Sequence, residues 1–250
     1  MFAAFPVKRL DRLPNRIDPC PILEAAFELR FTTRETWLVL PGLVKGLLEG
    51  RYPEQVLLPL DEMPEQVRKM IPGSVFLPHC QFRSETYCIN LGPQMIGLCI
   101  QPGKYPGWAA LESELKWLLG KILAAGFMDE GERLGVRYGD FFATDIFRHI
   151  DLSVAVNGQT MGDDERQFTT VFKEGPMSIR LMLANSVVAP APEGPRQGSL
   201  LDVDVSFGAL DFDLDNTIME RFIQAHTATK QLFFGLVTDA FLKTLNPQYA

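Results

Sequence analysis

Chemistry in this chain would have to come from a few places. Five aspartates, Asp202, Asp204, Asp211, Asp213 and Asp215, crowd into LLDVDVSFGALDFDLDN. On an extended strand Asp202, Asp204 and Ser206 project to one side, while Val203, Val205 and Phe207 project to the other. Two neighbouring carboxylates of this kind suit an oxygen-ligated divalent cation or a shared proton. The same alternation suits the wet face of a sheet whose other face is covered, which is the reading favoured here. Because no lysine or arginine lies between Arg196 and Arg221, the acidic strip also offers a landing site for a basic partner.

His79, Cys80, Cys88 and Cys99 are the only metal-ligand types near one another. Structural zinc sites pair their ligands two to four residues apart, and here only His79 and Cys80 are close. A hairpin turning at Leu91-Gly92-Pro93 sets Ile96 against Ile89 and Cys99 against Thr86. That register leaves Cys88 diagonal to Cys99, roughly 7 to 8 Å away and too far for an unstrained disulfide. The cysteines are therefore expected as reduced thiols, with Cys20 the fourth.

His149 and Asp151 sit in DIFRHIDLS, and His226 shares a helix with Thr227, Thr229 and Lys230. No serine or cysteine has the sequence context of a nucleophile served by these histidines. LGPQMIG and YPGWAALESE lack the glycine spacing and the Lys-Ser/Thr end of a phosphate loop. No catalytic residue and no cofactor are expected. The enzymatic alternative is a metal-dependent hydrolase or nuclease that uses Asp202 and Asp204 with His149 and a divalent ion.

The elements that would position these groups follow from periodicity. ILEAAFELRF (22–31) alternates Leu23, Ala25, Phe27, Leu29 and Phe31 with Glu24, Ala26, Glu28 and Arg30, which predicts a strand. A helix follows from near Pro41 to Leu48, with Gly50 as its stop. Residues 52–79, broken by five prolines, read as connecting structure with a short helical piece at EMPEQVRKMI. QFRSETYCIN and QMIGLCIQ form the hairpin. Trp108, Leu111, Leu115, Leu118, Leu119, Ile122 and Leu123 make the stripe of a helix ending at Gly126, and ERLGVRYGDFF (132–142) returns as a strand.

The second half repeats this grammar. FTTVFKEGPMSIRLMLANSVV and SLLDVDVSFGALDFDL supply strands around the irregular loop APAPEGPRQG. A helix from Ile218 to Leu245 is expected, opened by Thr217 and Glu220 as a capping box and stopped by Asn246-Pro247. The predicted fold class is α+β: an antiparallel sheet built from two strand-strand-helix units, with both long helices packed on one face. The expected organisation is an N-terminal arm (1–18) and a single domain (19–250) holding two quasi-repeats, 19–142 and 143–250.

With 250 residues and 46% hydrophobic composition the chain can bury a sizeable core unaided, which excludes a disordered or disulfide-dependent class. A net charge of −7 argues against nucleic acid as a partner, since phosphate neutralisation needs clustered cations. The one basic cluster is Lys8, Arg9, Arg12 and Arg16, read as a solvated start. MFAAFPVKRLDRLP places its apolar residues before its charges, the reverse of a signal peptide. Runs such as LFFGLV (232–237) are too short to cross a bilayer, so no membrane partner and a cytoplasmic location are expected.

ILEAAFELRF, preceded by Pro19 and Pro21, and RLGVRYGDFF (133–142) resemble a sporadically distributed bacterial family of unknown function. Its members open with a Pro-x-x-Glu-Ala-x-Phe-Glu-Leu-Arg-Phe strand and carry a later Arg-Leu-Gly-x-Arg-Tyr strand. The length and the C-terminal Asp239 to Leu242 segment are similar too, so the resemblance spans most of the chain. Where the family carries Asn after the Arg-Tyr pair, this chain has Gly139-Asp140. The patchy occurrence resembles that of mobile or defence-associated genes and implies an accessory, antitoxin-like or partner-binding role.

Glu24, Glu28, Arg30, Arg137 and Tyr138 alternate with apolar neighbours on the two strands and are the candidate binding residues, with Glu24 or Glu28 expected to pair with Arg137. The expected function is a non-enzymatic module that holds a protein or peptide partner on the sheet face the helices leave free. The wide apolar face of 218–245 could alternatively serve a homodimer.

Overall fold

The computed structural model describes residues 8, 10–160, 165–189, 194–209 and 215–249. The first strand, β1 (Ile22–Thr32), follows its alternation: Ala25, Phe27, Leu29 and Phe31 are buried, whereas Ala26, Glu28 and Arg30 are half-buried. Helix α1 (Leu40–Leu47) has Pro41 in its first turn and buries Leu40 and Val44. Glu49 and Gly50 then turn through positive φ (50° and 78°), a conformation that suits the glycine.

The proline-broken stretch holds more order than its composition suggests. It forms β2 (Glu54–Leu57), α2 (Pro59–Glu62) and α3 (Glu65–Met70), the short helix expected within EMPEQVRKMI, with Pro64 extended just ahead of the first turn rather than in it. Strand β2 was not anticipated. It pairs Glu54 with Arg83 and Leu57 with Cys80 on β3 (Cys80–Arg83), so its partner rather than its own pattern makes it a strand.

Strands β4 (Tyr87–Gly92) and β5 (Met95–Ile100) form the expected hairpin with a different register. Gly92 pairs with Met95, which makes Pro93-Gln94 the two-residue turn. Ile96 therefore faces Leu91 and Cys99 faces Cys88, two residues away from the register inferred above. Helix α4 (Trp108–Ala124) buries Leu111, Leu115, Leu118, Leu119 and Ile122, and Gly126 ends it at φ 65°. Strand β6 (Glu130–Phe142) follows.

After the short pair β7 (Ala155–Val156) and β8 (Gln159–Thr160) come β9 (Gln167–Glu174), β10 (Met177–Ala189) and β11 (Arg196–Phe207). The single helix expected over 218–245 is instead α5 (Asp215–Leu236) and α6 (Asp239–Thr244). The break has a physical cause. Backbone groups of the 149–151 segment take over from the helix ladder, with Asp151 N donating to Leu236 O (2.7 Å) and Thr238 N to His149 O (2.9 Å). Thr238, extended at φ −67° and ψ 150°, then accepts from Phe241 N through its hydroxyl and caps the new helix. Because α5 starts at Asp215, Thr217 falls inside its first turn rather than ahead of it.

Among the described residues nine strands hydrogen-bond in the order β2-β3-β4-β5-β1-β6-β11-β10-β9, with β7 and β8 apart. Pairing is antiparallel at β2-β3, β3-β4, β4-β5, β5-β1 and β10-β9. This is an α+β fold with an antiparallel sheet. Contacts divide the chain into two compact units, one of residues 1–23, 137–205 and 225–250, the other of 24–136 and 206–224.

In the second unit the Phe27 ring lies 6.0 Å from that of Trp108 on α4 and 5.7 Å from that of Phe222 on α5. In the first unit Phe142 stacks on Phe233 and meets Phe241 edge-on. Also in the first unit, the 15–18 segment is hydrogen-bonded to the 245–248 segment: Asn15 N donates to Gln248 O (2.7 Å), Gln248 N to Arg16 O (2.8 Å) and Asp18 N to Leu245 O (2.7 Å). The Arg12 guanidinium sits over the Tyr249 ring at 5.1 Å. Arg9 lies outside the described residues. No helix among the described residues is long and apolar enough to cross a membrane.

Candidate functional site

On β1 the side chains alternating with the buried Phe27 and Leu29 are Glu24, Ala26, Glu28 and Arg30. Strand register sets the rest of that face in the second unit. Ala26 lies opposite Cys99, Glu28 opposite Gly97, Cys99 opposite Cys88, Gly97 opposite Asn90, Asn90 opposite Gln81, and Cys88 opposite Arg83. Five neighbouring strands, β3 to β5, β1 and β6, thus contribute one polar surface.

Its side chains hold one another. Glu28 Oε1 accepts from Arg30 Nε at 2.7 Å and from Arg133 Nη1 at 3.0 Å, each of the three side chains being between 24 and 31% exposed. The Arg30 guanidinium also lies over the Phe76 ring at 5.1 Å. Gly135 leaves room beneath the Arg133 guanidinium, and a β-carbon there would collide with it. On the neighbouring strands Arg83 Nε donates to Gln81 Oε1 (2.6 Å), Gln81 Nε2 to Asn90 Oδ1 (2.6 Å), and Asn90 Nδ2 to Cys99 Sγ (3.1 Å). A hydrogen bond from Cys99, and secondarily the Arg83 charge, hold the Cys88 thiol below the ordinary range against its burial. The same hydrogen bond, with burial, pushes Cys99 well up.

A second polar group occupies the first unit. Arg137 Nε donates to Asp202 Oδ2 at 2.6 Å, and Arg180 Nη2 lies 3.8 Å from Asp202 Oδ1 and 3.6 Å from Asp204 Oδ2. Asp202 has no exposed surface and its Oδ1 makes no hydrogen bond. Both carboxylates proposed above for a cation therefore face guanidinium groups, an arrangement that answers their charge by ion pairing and repels a divalent ion. Among the described residues no cluster of three His, Cys, Asp or Glu side chains could hold a metal ion. Asp211 and Asp213 lie outside the described residues. His149 stacks on Phe241 at 4.3 Å, and its backbone joins the helix break, so its place is a packing one.

Tyr138 does not share the surface occupied by Arg137. It is only 6% exposed, and its hydroxyl is 3.0 Å from His226 Nδ1 on α5. The reason is strand alternation, which sends residues 137 and 138 to opposite faces of β6. Burial, helped by the Lys230 charge, pushes His226 down to about 3, so its ring is neutral beside Tyr138. Asp140, two residues further along β6, is 5% exposed, and burial followed by the Asp202 charge pushes its carboxyl up to about 8. Sequence reasoning passed over Asp140 as a side chain of interest, although an aspartate at the Tyr138 and Phe142 period was a visible signal.

Among the expected residues, the structure brings Glu28 and Arg30 together and adds Arg133, which sequence reasoning missed. Arg133 was hidden because it is 105 residues from Glu28 and only the strand order makes them neighbours. Glu24 extends the same row of β1. No family model matches the chain, and no curated protein is recognisably similar to it.

Proposed function

We propose that the chain is a non-enzymatic binding module that holds a protein or peptide partner on the polar sheet surface around Glu28, Arg30 and Arg133. The observation that carries this reading is the shared Glu28 carboxylate, which fixes the Arg30 and Arg133 guanidinium groups side by side in a partly exposed row. Around the Glu28 carboxylate two guanidinium groups, those of Arg30 and Arg133, meet one anion, which favours a carboxylate on the partner segment. Its backbone strands are already paired, so recognition would run through side chains rather than strand addition.

The reading includes a finer architecture: two strand-strand-helix units whose long helices cover one sheet face and leave the other to the partner. The shared contact of Phe27 with Trp108 and Phe222 supports it. It also keeps the resemblance to the sporadic bacterial family, an accessory or defence-associated role, and a cytoplasmic setting. The test is a comparison of partners captured from the native host by the wild-type chain and by Arg30→Glu with Arg133→Glu. A partner held by the wild type and released by the reversed charges supports the reading. Equal capture by both chains, or binding that survives the reversal, overturns it.

A further inference from the structure

Cys88 and Cys99 face each other across the β4-β5 ladder, one pair of thiols in an otherwise hydrogen-bonded polar row. Directly opposed residues in an antiparallel ladder have Cα atoms about 4.5 to 5.5 Å apart in either hydrogen-bonding position, inside the span a disulfide bridges. Both are free thiols, Cys88 buried and Cys99 half-buried at the surface. Asn90 Nδ2 donates to Cys99 Sγ at 3.1 Å, which orients that sulfur. The residue beyond Cys88 in the same row is Arg83, whose cation faces a developing thiolate. The other two cysteines have no such arrangement: Cys80 is fully buried and Cys20 is exposed on a different segment.

We infer that Cys88 and Cys99 form a peroxide-reactive dithiol that closes to a cross-strand disulfide, making the polar sheet surface a site of reversible oxidative modification. The Cys88 thiolate attacks one oxygen of a hydroperoxide and breaks the O–O bond. This leaves Cys88 as a sulfenic acid and releases the other oxygen as water or an alcohol after protonation. The Cys99 sulfur then attacks the Cys88 sulfur, the S–O bond breaks, and water leaves with the proton that Cys99 gives up. In total two thiols lose two electrons and two protons, and one hydroperoxide is reduced. Arg83 supports the thiolate in the first step, and the register places the resolving thiol within reach in the second.

The chain offers a direct readout. Trypsin cuts after Arg83 and Lys104, so one peptide, 84–104, contains both cysteines and neither of the others. Full-length protein is treated with hydrogen peroxide under native conditions, quenched by alkylation and digested. The expected product is peptide 84–104 two hydrogens lighter and unalkylated, restored by dithiothreitol, and formed about tenfold faster than oxidation of Cys20, as a thiolate paired with a resolving thiol should be. In Cys99→Ala the closure is lost and Cys88 is trapped by a sulfenic-acid-specific diketone. In Cys88→Ala, Cys99 stays alkylatable. Peptide 84–104 that remains doubly alkylated while Cys20 oxidises overturns the inference, and so does a disulfide to Cys20 or Cys80. The wild-type measurement decides the matter even if a variant fails to fold.

Discussion

Arg137 holds the fully buried carboxylate of Asp202 at 2.6 Å while its own side chain stays 40% exposed. The pair is thus one-sided: the anion has left water and the cation has not. Removing the cation leaves a buried charge answered by the more distant Arg180. Arg137→Ala should cost about 3–5 kcal/mol, the range for breaking a buried pair from one side. Urea unfolding checks it, with Arg137→Ala and Asp202→Leu together expected to cost less than Arg137→Ala alone. A loss under about 1 kcal/mol would place Asp202 in contact with water.

Asp140 and His226 give the stability of the first unit opposing pH dependences. The Asp140 carboxyl is raised to about 8 in the fold, so between its ordinary value and 8 the unfolded chain ionises while the folded one keeps its proton. The unfolded state then binds fewer protons, and this group lowers stability progressively as pH rises through that window. Asp140→Asn should therefore gain melting temperature relative to wild type from pH 4 to pH 8, with the gain levelling off above 8. A difference independent of pH would contradict the burial assigned to this carboxyl.

His226 works in the other direction. Its folded value near 3 lies below the ordinary 6.5, so the unfolded chain binds the extra proton first. Stability is full above about 6.5 and is lost as pH falls toward 3. His226→Gln should flatten that loss relative to wild type in melting experiments between pH 7 and pH 4. If the variant loses stability as steeply as wild type, another group governs the acid limb.

Addition of Mg²⁺ or Mn²⁺ should leave the melting temperature unchanged, since Asp202 and Asp204 face Arg137 and Arg180 rather than an open oxygen cage. A stabilisation that disappears in Asp202→Asn would restore the hydrolase or nuclease alternative.

Glu114 is buried on α4 and accepts from Tyr52 Oη at 2.8 Å and Arg51 Nη2 at 2.7 Å. Tyr52→Phe removes one donor without changing the ring's stacking on Trp117. The expected cost is about 1–3 kcal/mol in chemical denaturation, the penalty of an underpaired buried acceptor. An unchanged midpoint would show that Arg51 alone satisfies the carboxylate.

Local pattern carried much of the fold. The period-two alternation of β1 and the apolar stripe of α4 were legible because each is written within one element and each buries one face. What depended on distant partners was not. β2 is a strand because β3 pairs with it, and nothing in EQVL announces that. The hairpin was visible, but its register turned on whether Gly92 or the Pro93-Gln94 pair made the bend, and a two-residue shift keeps every side chain on its face. That shift is invisible to hydrophobic pattern, yet it decides whether Cys88 and Cys99 are diagonal or opposed. The α5 to α6 break was written in Thr238-Asp239, an N-cap pair masked by the apolar run that continues through it. At the candidate site Glu28 and Arg30 were legible as neighbours on one strand face, whereas Arg133 required the order of strands.

The backbone pairing of Arg16 with Gln248 makes two stretches far apart in the chain mutually dependent for their hydrogen bonds. Trimming the chain at 244 would strip partners from residues 15–18, so a tail deletion should loosen the start as well. Joining residue 248 to residue 15 through a short linker and opening the chain elsewhere should, by the same adjacency, yield a circular permutant that keeps its topology.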